Sequence, residues 1–511
     1  MEDILDIITR TSADKFGIRA LKPYQILVIQ RIMEQEDSDI VRNQVVVLPT
    51  GTGKSLCFLI PACLCKGLTV IVYPILALMN DQISKLKAAG IDCVCIRGGQ
   101  SPEERARLFA KLDNGTRIVV TTPESLQRRS VLREIEKHRV SLLVVDEAHV
   151  ISQWGKEFRP AYMALTGVIK RLRPHQILAF TATASEKTIK DIRRCLFREK
   201  PLVVRGDADR PNITYRSYPT LDRQQAVVQL VSSCQRPALV FCQTRDETRR
   251  ICTALRLELP EIPSMYYNAG LSRDERNALE TWFMESKDGV LVATSAYGMG
   301  VDKSGIRTVI HHTLPSNIEE YLQESGRAGR DGNDATAWVV VCGNEKSPLA
   351  TIFTGTECRR SALLSALGQE KTECTGCDVC LHQVVKVPDG WPAIEMLVNT
   401  WPFRFDSMKA SYLLCGTRNC HAAPEGVVFN PLYGAMQSWN PRRMTKAIDK
   451  VSSDRSAYPI LTVRFLKCGK LLYPSDVLLY NLIASLFRRI DSGYRWFVRE
   501  ISKFKRKGKK T

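Results

Sequence analysis

Short runs of β-branched and aliphatic residues alternate with helical patterns over most of this chain. In the first series the runs lie at residues 45–48, 69–73, 118–120, 142–145 and 177–180. A second series follows at residues 238–242, 290–293, 308–311 and 337–341. Apolar strands that alternate with helices are typical of a parallel sheet covered on both faces. The sequence therefore predicts two tandem α/β domains, joined near residue 206.

Composition excludes two broad classes of protein. The 511 residues carry a net charge of +19 and 44% of them are hydrophobic, which is too apolar for a disordered acidic chain. The longest apolar stretch, residues 67–79, is shorter than the roughly 18 to 20 residues that span a bilayer, and the acidic start is unlike a signal peptide. We therefore expect a soluble protein of the cytosol or nucleus, whose 17 cysteines are mostly reduced core residues.

The positive charge is concentrated in the last quarter of the chain. Residues 391–511 contain 21 Lys and Arg against 8 Asp and Glu, a net charge of +13, so the rest of the chain carries only +6. Such a basic module suggests contact with a polyanion, most simply nucleic acid. For the final run, residues 503–510, a solvated tail is an equal alternative because runs of like charge are usually disordered.

A glycine-rich segment, residues 49–55, follows the first apolar run and opens a helical pattern. Glycines let backbone N–H groups approach phosphate, and a helix N-terminus favours negative charge. We expect Lys54 to reach the β and γ phosphates and the Ser55 hydroxyl to bind Mg²⁺. The rest of the loop is expected to hold the phosphates through Thr50, Gly51, Thr52 and Gly53. A plain strand-to-helix turn is the alternative.

Two carboxylates, Asp146 and Glu147, follow the apolar run at residues 142–145. Open α/β sheets bind ligands beyond the C-terminal ends of their strands. Asp146 is placed to hold the metal, directly or through water, and Glu147 to orient and deprotonate an attacking water. An acidic pair can instead cap a helix, but a phosphate loop earlier in the same unit favours the catalytic interpretation.

A third motif, residues 323–330, lies in the second α/β unit and begins at Gln323. Arg327 and Arg330 are three residues apart, which predicts that they share one helix face and point into a cleft. An arginine brought to a γ phosphate from a neighbouring domain stabilises the charge of the transition state. Exposed arginines on a surface helix are the alternative.

Four cysteines lie within 23 residues near the end of the second unit. They are Cys358, Cys374, Cys377 and Cys380. Four thiolates complete a tetrahedral zinc shell, and a closed shell of this kind has no open position for substrate. We therefore predict a structural zinc site that contributes to folding. An iron–sulfur cluster is the rival cofactor.

Aromatic and cationic residues are interleaved at residues 153–160, directly after the acidic pair. The stretch is too broken for a core strand and is expected to be a loop. Trp154, Phe158 and Arg159 suit stacking and backbone contacts on single-stranded nucleic acid. The alternative is that the two aromatic side chains fill an edge of the core.

Taken in order, these motifs resemble those of superfamily-two helicases and, within them, the RecQ family of DNA helicases, over residues 16–380. The resemblance implies that Lys22 and Gln25 read the adenine of ATP. It implies that Thr294 contacts the DNA backbone and that Asp302 contacts the nucleotide. The aromatic segment and the four-cysteine module separate RecQ proteins from RNA helicases with a similar core.

The fold class implied is α/β, with two tandem RecA-like parallel-sheet domains at residues 1–205 and 206–343. A zinc-binding helical module at residues 344–389 would follow, then a divergent winged-helix-like module at residues 390–475 and a basic helix and tail at residues 476–511. Helical patterns near residues 406–414 and 442–451, then apolar runs at residues 459–464 and 470–473, motivate the winged helix.

The activity implied is ATP-driven, Mg²⁺-dependent unwinding of tailed or forked duplex DNA by 3′-to-5′ movement on single-stranded DNA, in recombination or repair. The location would be the bacterial cytoplasm, with the nucleoid, or the eukaryotic nucleus. Three rivals remain: an RNA helicase or duplex translocase, a nucleotide-switched DNA-binding protein that separates no strands, and a phosphate-loop enzyme such as a nucleotide kinase. The kinase would leave the paired arginines unexplained.

Overall fold

The computed structural model describes residues 4–36, 38, 41–49, 51–154, 160–297, 303–343, 345, 347–369, 373–385, 387–401, 405–417 and 430–453. Contacts divide the chain into two compact units, residues 1–386 and residues 387–511. Among the described residues no helix is both long and apolar enough to cross a bilayer. The cysteines in the described part of the chain are free thiols.

A sheet of seven strands organises residues up to 205, which we call the first lobe. The strands are β1 (Gln44–Val47), β2 (Leu68–Val72), β3 (Val94–Ile96), β4 (Ile118–Thr121), β5 (Val140–Val145), β6 (Gln176–Thr181) and β7 (Leu202–Arg205). All neighbours pair in parallel, in the order β3-β4-β2-β5-β6-β1-β7. The C-terminal ends of β1 and β5 therefore lie at the same edge of the sheet, with β6 between them.

Helices cover both faces of this sheet. They are α1 (Ile4–Phe16), α2 (Pro23–Glu34), α3 (Leu56–Leu64), α4 (Leu76–Ala88), α5 (Pro102–Asp113), α6 (Pro123–Leu126), α7 (Arg129–Ile135), α8 (Val150–Trp154), α9 (Pro160–Met163), α10 (Leu165–Leu172) and α11 (Glu186–Leu196). Successive strand residues point to opposite faces, so Val45 and Val47 join one buried cluster while Val46 and Leu48 join another. Burial on both faces explains why the central strands are continuously apolar.

A second sheet organises residues 206–343, which we call the second lobe. Its strands are β8 (Ile213–Pro219), β9 (Ala238–Phe241), β10 (Ser264–Tyr267), β11 (Val290–Ala293), β12 (Thr308–His311) and β13 (Ala335–Val341). They are parallel, in the order β10-β11-β9-β12-β13-β8. The helices of this lobe are α12 (Arg223–Ser233), α13 (Arg245–Glu258), α14 (Arg273–Glu285) and α15 (Ile318–Ser325). The expectation of two parallel-sheet domains is confirmed.

The four-cysteine segment packs on the edge strand β8 after two further helices, α16 (Pro348–Thr354) and α17 (Arg359–Ala366). Cys377 forms a parallel bridge with Tyr215 of β8. Buried Arg359 pairs with Asp378 at 3.0 Å, and the same carboxylate accepts from the backbone N–H and the hydroxyl of Ser217, each at 2.8 Å. This hydrogen-bonded ion pair ties the segment to the second sheet because breaking a buried pair is costly.

The second unit contains α18 (Trp391–Thr400), α19 (Ser407–Cys415) and α20 (Pro441–Ser453) among its described residues. The last two helices agree with the helical patterns found in the sequence. Buried Trp439 donates from Nε1 to Asp389 at 2.9 Å and so fixes the entry to α18. The apolar runs at residues 459–464 and 470–473 and the basic tail at residues 476–511 lie outside the described residues. The winged helix therefore stays a prediction.

Candidate functional site

The glycine-rich loop runs from the end of β1 to the start of α3. Gly51 and Gly53 have φ angles of +78° and +82°, a region that side chains with a β-carbon rarely adopt. Gln25 supports the loop from α2, because its side-chain amide donates to the carbonyls of Thr52 and Gly53, both at 3.2 Å. The Tyr24 hydroxyl donates to the Thr52 carbonyl at 2.8 Å. The loop is thus braced by the residues expected to lie near adenine.

Lys54 reaches the acidic pair at the end of β5. Its Nζ lies 2.9 Å from Oε1 of Glu147, and the two side chains keep only 10% and 12% of their exposure. Burial alone would lower the pKa of Lys54, but the carboxylates of Glu147 and Asp146 outweigh it and raise that pKa. Burial opposes the ionised form of Glu147 as well, yet Lys54 and His149 hold its pKa below the ordinary range. A cation and a carboxylate are therefore both kept charged at this sheet edge.

The backbone of the acidic pair has an unusual conformation. Glu147 adopts a left-handed φ of +49°, and its N–H donates to Oδ1 of Asp146 at 2.9 Å. Such a strained residue persists only where its surroundings hold it, and these are frequent at functional sites. His149 supplies one restraint, with Nδ1 lying 3.3 Å from Oε2 of Glu147 and 3.0 Å from the Thr181 hydroxyl at the end of β6. Burial raises the pKa of Asp146 to about 6.

The chemistry of this edge fits Mg²⁺. Asp146 supplies a buried carboxylate at the end of β5 and Ser55 a hydroxyl at the start of α3, and oxygen ligands of these two kinds bind Mg²⁺ in phosphate-loop enzymes. A buried carboxylate with a raised pKa loses little by exchanging its proton for a divalent cation. Ser55 stands at the N-cap of α3, where the helix end is positive and suits phosphate.

The two arginines of the third motif do not lie on a helix, contrary to the sequence prediction, although residues 323–325 end α15. Helix α15 ends at Ser325 and Gly326 caps it, so Arg327 and Arg330 follow on a series of turns. Gly329 separates them with a φ of +55°, which breaks the helical path.

Arg330 crosses from the second lobe to the phosphate loop of the first. A β-carbon placed on Gly51 would lie 3.8 Å from both Cγ and Cδ of Arg330. Arg327 is buried, and burial together with the positive charge of Arg330 lowers its pKa to about 10. Three cationic side chains from two lobes, with Lys54 as the third, thus gather beside one acidic pair. Such a cluster suits a polyanion like a triphosphate.

The remaining contacts between the lobes surround this cluster. Gln323 lines a small cleft with Pro49 and Thr183 of the first lobe. Glu319 of α15 accepts from the N–H of Ser185 at 3.2 Å and from the hydroxyl of Thr188 at 3.0 Å, at the N-terminus of α11. Both acceptor bonds favour the charged carboxylate, so the pKa of Glu319 is lowered although burial opposes it. The seam is therefore polar at this contact.

The four cysteines converge as their spacing predicts. The sulfurs of Cys358, Cys374, Cys377 and Cys380 all lie within 4.8 Å of one another. With zinc–sulfur bonds of about 2.3 Å, sulfurs at tetrahedral positions stand about 3.8 Å apart, which this cluster can provide with small shifts. The donor set fits a closed zinc site, as proposed, and it lies on the side of the second lobe that carries β8.

Several residues expected to contact DNA or nucleotide lie outside the described residues or have few described contacts. Thr50, Phe158, Arg159 and Asp302 lie outside the described residues. Helix α8 extends to Trp154, so the segment expected to be a loop begins as a helix. Thr294 follows β11 and its hydroxyl accepts from the Ala296 N–H at 3.4 Å. Their contacts with DNA or nucleotide remain predictions.

Two residues at the seam escaped sequence reasoning. His149 lies two positions after Glu147, so the spacing could have suggested that the two side chains are close. Arg210 lies in the segment between β7 and β8, and its side chain contacts the turns that carry Arg327 and Arg330. No local pattern marks Arg210, because its partners lie more than a hundred residues away in sequence.

Two family models match the lobes that this geometry joins. Residues 22–192 match the DEAD/DEAH box helicase domain, and residues 222–332 match the helicase conserved C-terminal domain. The chain therefore contains a two-lobed helicase core of RecA-like domains. The fold resembles the DEAD-box helicase Mss116 bound to single-stranded RNA, with a TM-score of 0.57 and 19% identity over 92% of this chain and 96% of that one.

Similar curated proteins identify the helicase family to which the chain belongs. The chain is 35% identical to the ATP-dependent DNA helicase RecQ of Pasteurella multocida over 72% of its own length and 61% of the relative. It is 32% identical to the Haemophilus influenzae protein of the same name over 80% of its length and 68% of that relative. The chain belongs to the RecQ family of ATP-dependent DNA helicases. It spans about two thirds of the length of these relatives.

Proposed function

We propose that this protein hydrolyses ATP at the seam between its two lobes and uses the cycle to unwind DNA. The observation that carries the proposal is the approach of Arg330 to Gly51, beside the Lys54–Glu147 pair. One wall of the site thus comes from each lobe. A γ phosphate that contacts both walls holds the lobes together, and its loss on hydrolysis lets them separate.

Each residue of the site has a proposed role in this cycle. Lys54 binds the β and γ phosphates, and the phosphates displace it from Glu147. Glu147, oriented by His149, then accepts a proton from the attacking water. Arg327 and Arg330 stabilise the charge that develops on the transferred phosphoryl group. Gln323 lines the cleft from the same wall.

Two further parts of the site concern the adenine and the metal. Lys22 and Gln25 lie at the start of α2, where Gln25 already braces the phosphate loop. Adenine bound there forms hydrogen bonds with the Gln25 amide and thereby affects the phosphate loop that Gln25 braces. Ser55 and Asp146 would hold Mg²⁺, which screens the charge of the phosphates when bound.

DNA is the proposed substrate, as single strands and as tailed or forked duplexes. The basic excess of residues 391–511 favours a polyanion, and Trp154, Phe158 and Arg159 offer a stacking and phosphate-binding segment next to the acidic pair. We propose 3′-to-5′ movement and a role in recombination or repair, in the bacterial nucleoid or the eukaryotic nucleus, because the family resemblance implies them. The four cysteines would hold Zn²⁺ as a structural ion.

Unwinding of matched substrates tests the proposal. Duplexes with a 3′ or a 5′ single-stranded tail, in DNA and in RNA, are incubated with and without ATP, and strand separation is followed by gel electrophoresis. The expected result is ATP-dependent separation of the 3′-tailed DNA alone. Separation of the tailed RNA would favour an RNA helicase. ATP hydrolysis without separation of any duplex would favour a translocase or a nucleotide-switched binding protein.

A further inference from the structure

Arg210 lies in the segment that joins the two lobes and contacts the arginine-bearing turns. Its guanidinium donates to the carbonyls of Gly326 and Ala328, each at 3.2 Å, and of Gly329 at 2.9 Å. One side chain therefore donates to three of the four backbone carbonyls of residues 326–329, a non-helical stretch. Guanidinium groups suit this task because their donors are planar and fixed in direction.

The stretch lacks a regular hydrogen-bond ladder: the Gly329 carbonyl accepts from the Gly332 N–H at 3.0 Å, and Arg210 donates to the carbonyls of Gly326 and Ala328. Buried backbone carbonyls without a partner cost free energy, so a turn of this kind adopts a defined path only where side chains satisfy it. Asn212 adds a second restraint, donating from Nδ2 to the carbonyls of Gly329 and Asn333, both at 2.8 Å. The joining segment thus fixes the backbone on both sides of Arg327 and immediately before Arg330.

The backbone of Arg210 is itself held by a residue of the four-cysteine module. Buried Arg360, two residues after Cys358, donates to the backbone carbonyl of Arg210 at 2.9 Å and to that of Ile213 at 2.6 Å. It also forms an ion pair with Asp209. Because the backbone at Arg210 is fixed, its side chain can move only a little. The position of the arginine-bearing turns therefore depends on the whole segment that joins the two lobes.

We propose that Arg210 is a positioning residue for ATP hydrolysis, which sets the orientation of Arg330 through the carbonyls of residues 326, 328 and 329. The proposal rests on the hydrolytic function proposed above. Arg210 touches no phosphate in this role. Its loss lets the turns relax, moves the Arg330 side chain from its place beside Gly51, and weakens stabilisation of the transition state more than binding of ATP.

Three variants test the proposal. In Arg210→Met the donors are lost, in Arg210→Lys a single ammonium replaces the fork, and Arg256→Met is the matched control. Arg256 also donates to a backbone carbonyl of the second lobe, that of Ser264 at 2.8 Å. That bond does not involve residues 323–330. DNA-stimulated kcat and KM for ATP are measured for each protein, together with the melting temperature.

We expect kcat of Arg210→Met to fall about tenfold to a hundredfold, with KM for ATP changed by less than about threefold. Arg210→Lys should fall between that variant and the wild type, and Arg256→Met should match the wild type. A fall in melting temperature together with an equal loss of ATP binding would mean general destabilisation and would overturn the proposal. Asn212→Ala, which removes the second restraint, should lower kcat in the same direction if Arg210→Met fails to fold.

A double variant tests the route through Arg330. If Arg210 acts by placing Arg330, then adding Arg210→Met to Arg330→Ala should lower kcat no further than Arg330→Ala alone. Multiplied effects would show that Arg210 acts elsewhere and would contradict the proposal. A wild-type protein without DNA-stimulated hydrolysis would instead refute the proposed function, so the two failures are distinguishable.

Discussion

Lys54 of the phosphate loop and Glu147 of the acidic pair form a largely buried ion pair, with 2.9 Å between Nζ and Oε1. The pair joins the residue expected to bind phosphate to the residue expected to activate water. Both tasks are therefore linked: phosphate that draws Lys54 away removes one cause of the lowered pKa of Glu147, so this carboxylate becomes a stronger base. Such a link couples the arrival of substrate to the readiness of the base.

Replacing Lys54 with Ala should abolish DNA-stimulated ATP hydrolysis while leaving DNA binding intact. The loss should be at least about 10²-fold in kcat because a preorganised cation beside the phosphates is removed. Phosphate release and binding of a fluorescent single strand measure the two properties. Lys137→Ala is the control, since Lys137 forms an exposed ion pair with Glu134. Turnover near the wild-type rate in Lys54→Ala would refute the role given to Lys54.

A glycine between the two arginines should tolerate no side chain. In Gly329→Ala the new β-carbon would lie 2.4 Å from Nδ2 of Asn212 and 2.6 Å from the Asn333 carbonyl oxygen. Gly332→Ala is a matched control, because Gly332 also has a positive φ but its β-carbon would meet no atom within 4 Å. Both substitutions incur backbone strain of about 1 kcal/mol, and Gly329→Ala adds about 1–3 kcal/mol for the clash.

Thermal unfolding and DNA-stimulated kcat measure this difference. Gly329→Ala should melt at a lower temperature than Gly332→Ala and lose more activity, since the clash displaces the turn that carries Arg330. Equal melting temperatures and equal kcat values would show that the turn adapts freely, against the arrangement described.

The cysteine cluster should bind one zinc ion per chain. Cys377→Ser removes the buried member of the set and should release the metal and lower the melting temperature, because zinc binding contributes to folding. Cys95→Ser, at a half-buried cysteine outside the cluster, should keep both properties. Metal analysis of the purified proteins gives the answer. Native protein that contains iron and acid-labile sulfide in place of zinc would support the rival cluster.

Buried His312 should make the second lobe sensitive to acid. Burial lowers the pKa of His312 to about 4, from an unfolded value near 6.5. The unfolded chain therefore binds the proton more readily, so stability is present above about pH 6.5 and is lost as the pH falls towards 4. The loss between pH 7 and pH 5 should be on the order of 2 kcal/mol.

Urea unfolding of the wild type and of His312→Gln at several pH values checks this behaviour. The variant keeps a polar group near the Thr313 hydroxyl, which lies 2.9 Å from His312 Nδ1, but cannot titrate in this range. Its stability should vary less between pH 7 and pH 5 than that of the wild type. His138→Gln, at a partly exposed histidine near Asp113, should keep the wild-type dependence. Equal slopes for His312→Gln and wild type would contradict the account.

The sequence was sufficient where structure depends on local pattern. All nine apolar runs are strands, because buried parallel strands need continuous apolar residues. Strands β3, β7, β8 and β10 were not anticipated. All four lie at sheet edges, and β8 (Ile213–Pro219) and β10 (Ser264–Tyr267) also mix polar with apolar residues. The cysteine cluster could also be predicted from the sequence, because the spacing of its cysteines is short and four thiolates are a specific metal-ligand set.

Other features depend on contacts between distant parts of the chain. Periodicity placed Arg327 and Arg330 on a helix, but Gly326 ends α15 and Gly329 adopts a positive φ. The brace of Arg210 across more than a hundred residues of sequence has no local signal at all. Spacing alone could suggest that Arg330 meets the phosphate loop, but only the relative placement of the two sheets brings it to Gly51.

The most direct test of a site shared by two lobes is single-turnover hydrolysis by Arg330→Ala at saturating single-stranded DNA. The account predicts a rate lower by about 10³-fold or more, with the dissociation constant for a fluorescent ATP analogue changed only a few-fold. Arg273→Ala, at an exposed arginine that begins α14 in the same lobe, should hydrolyse ATP like the wild type. An Arg330→Ala rate within twofold of the wild type would contradict the central claim.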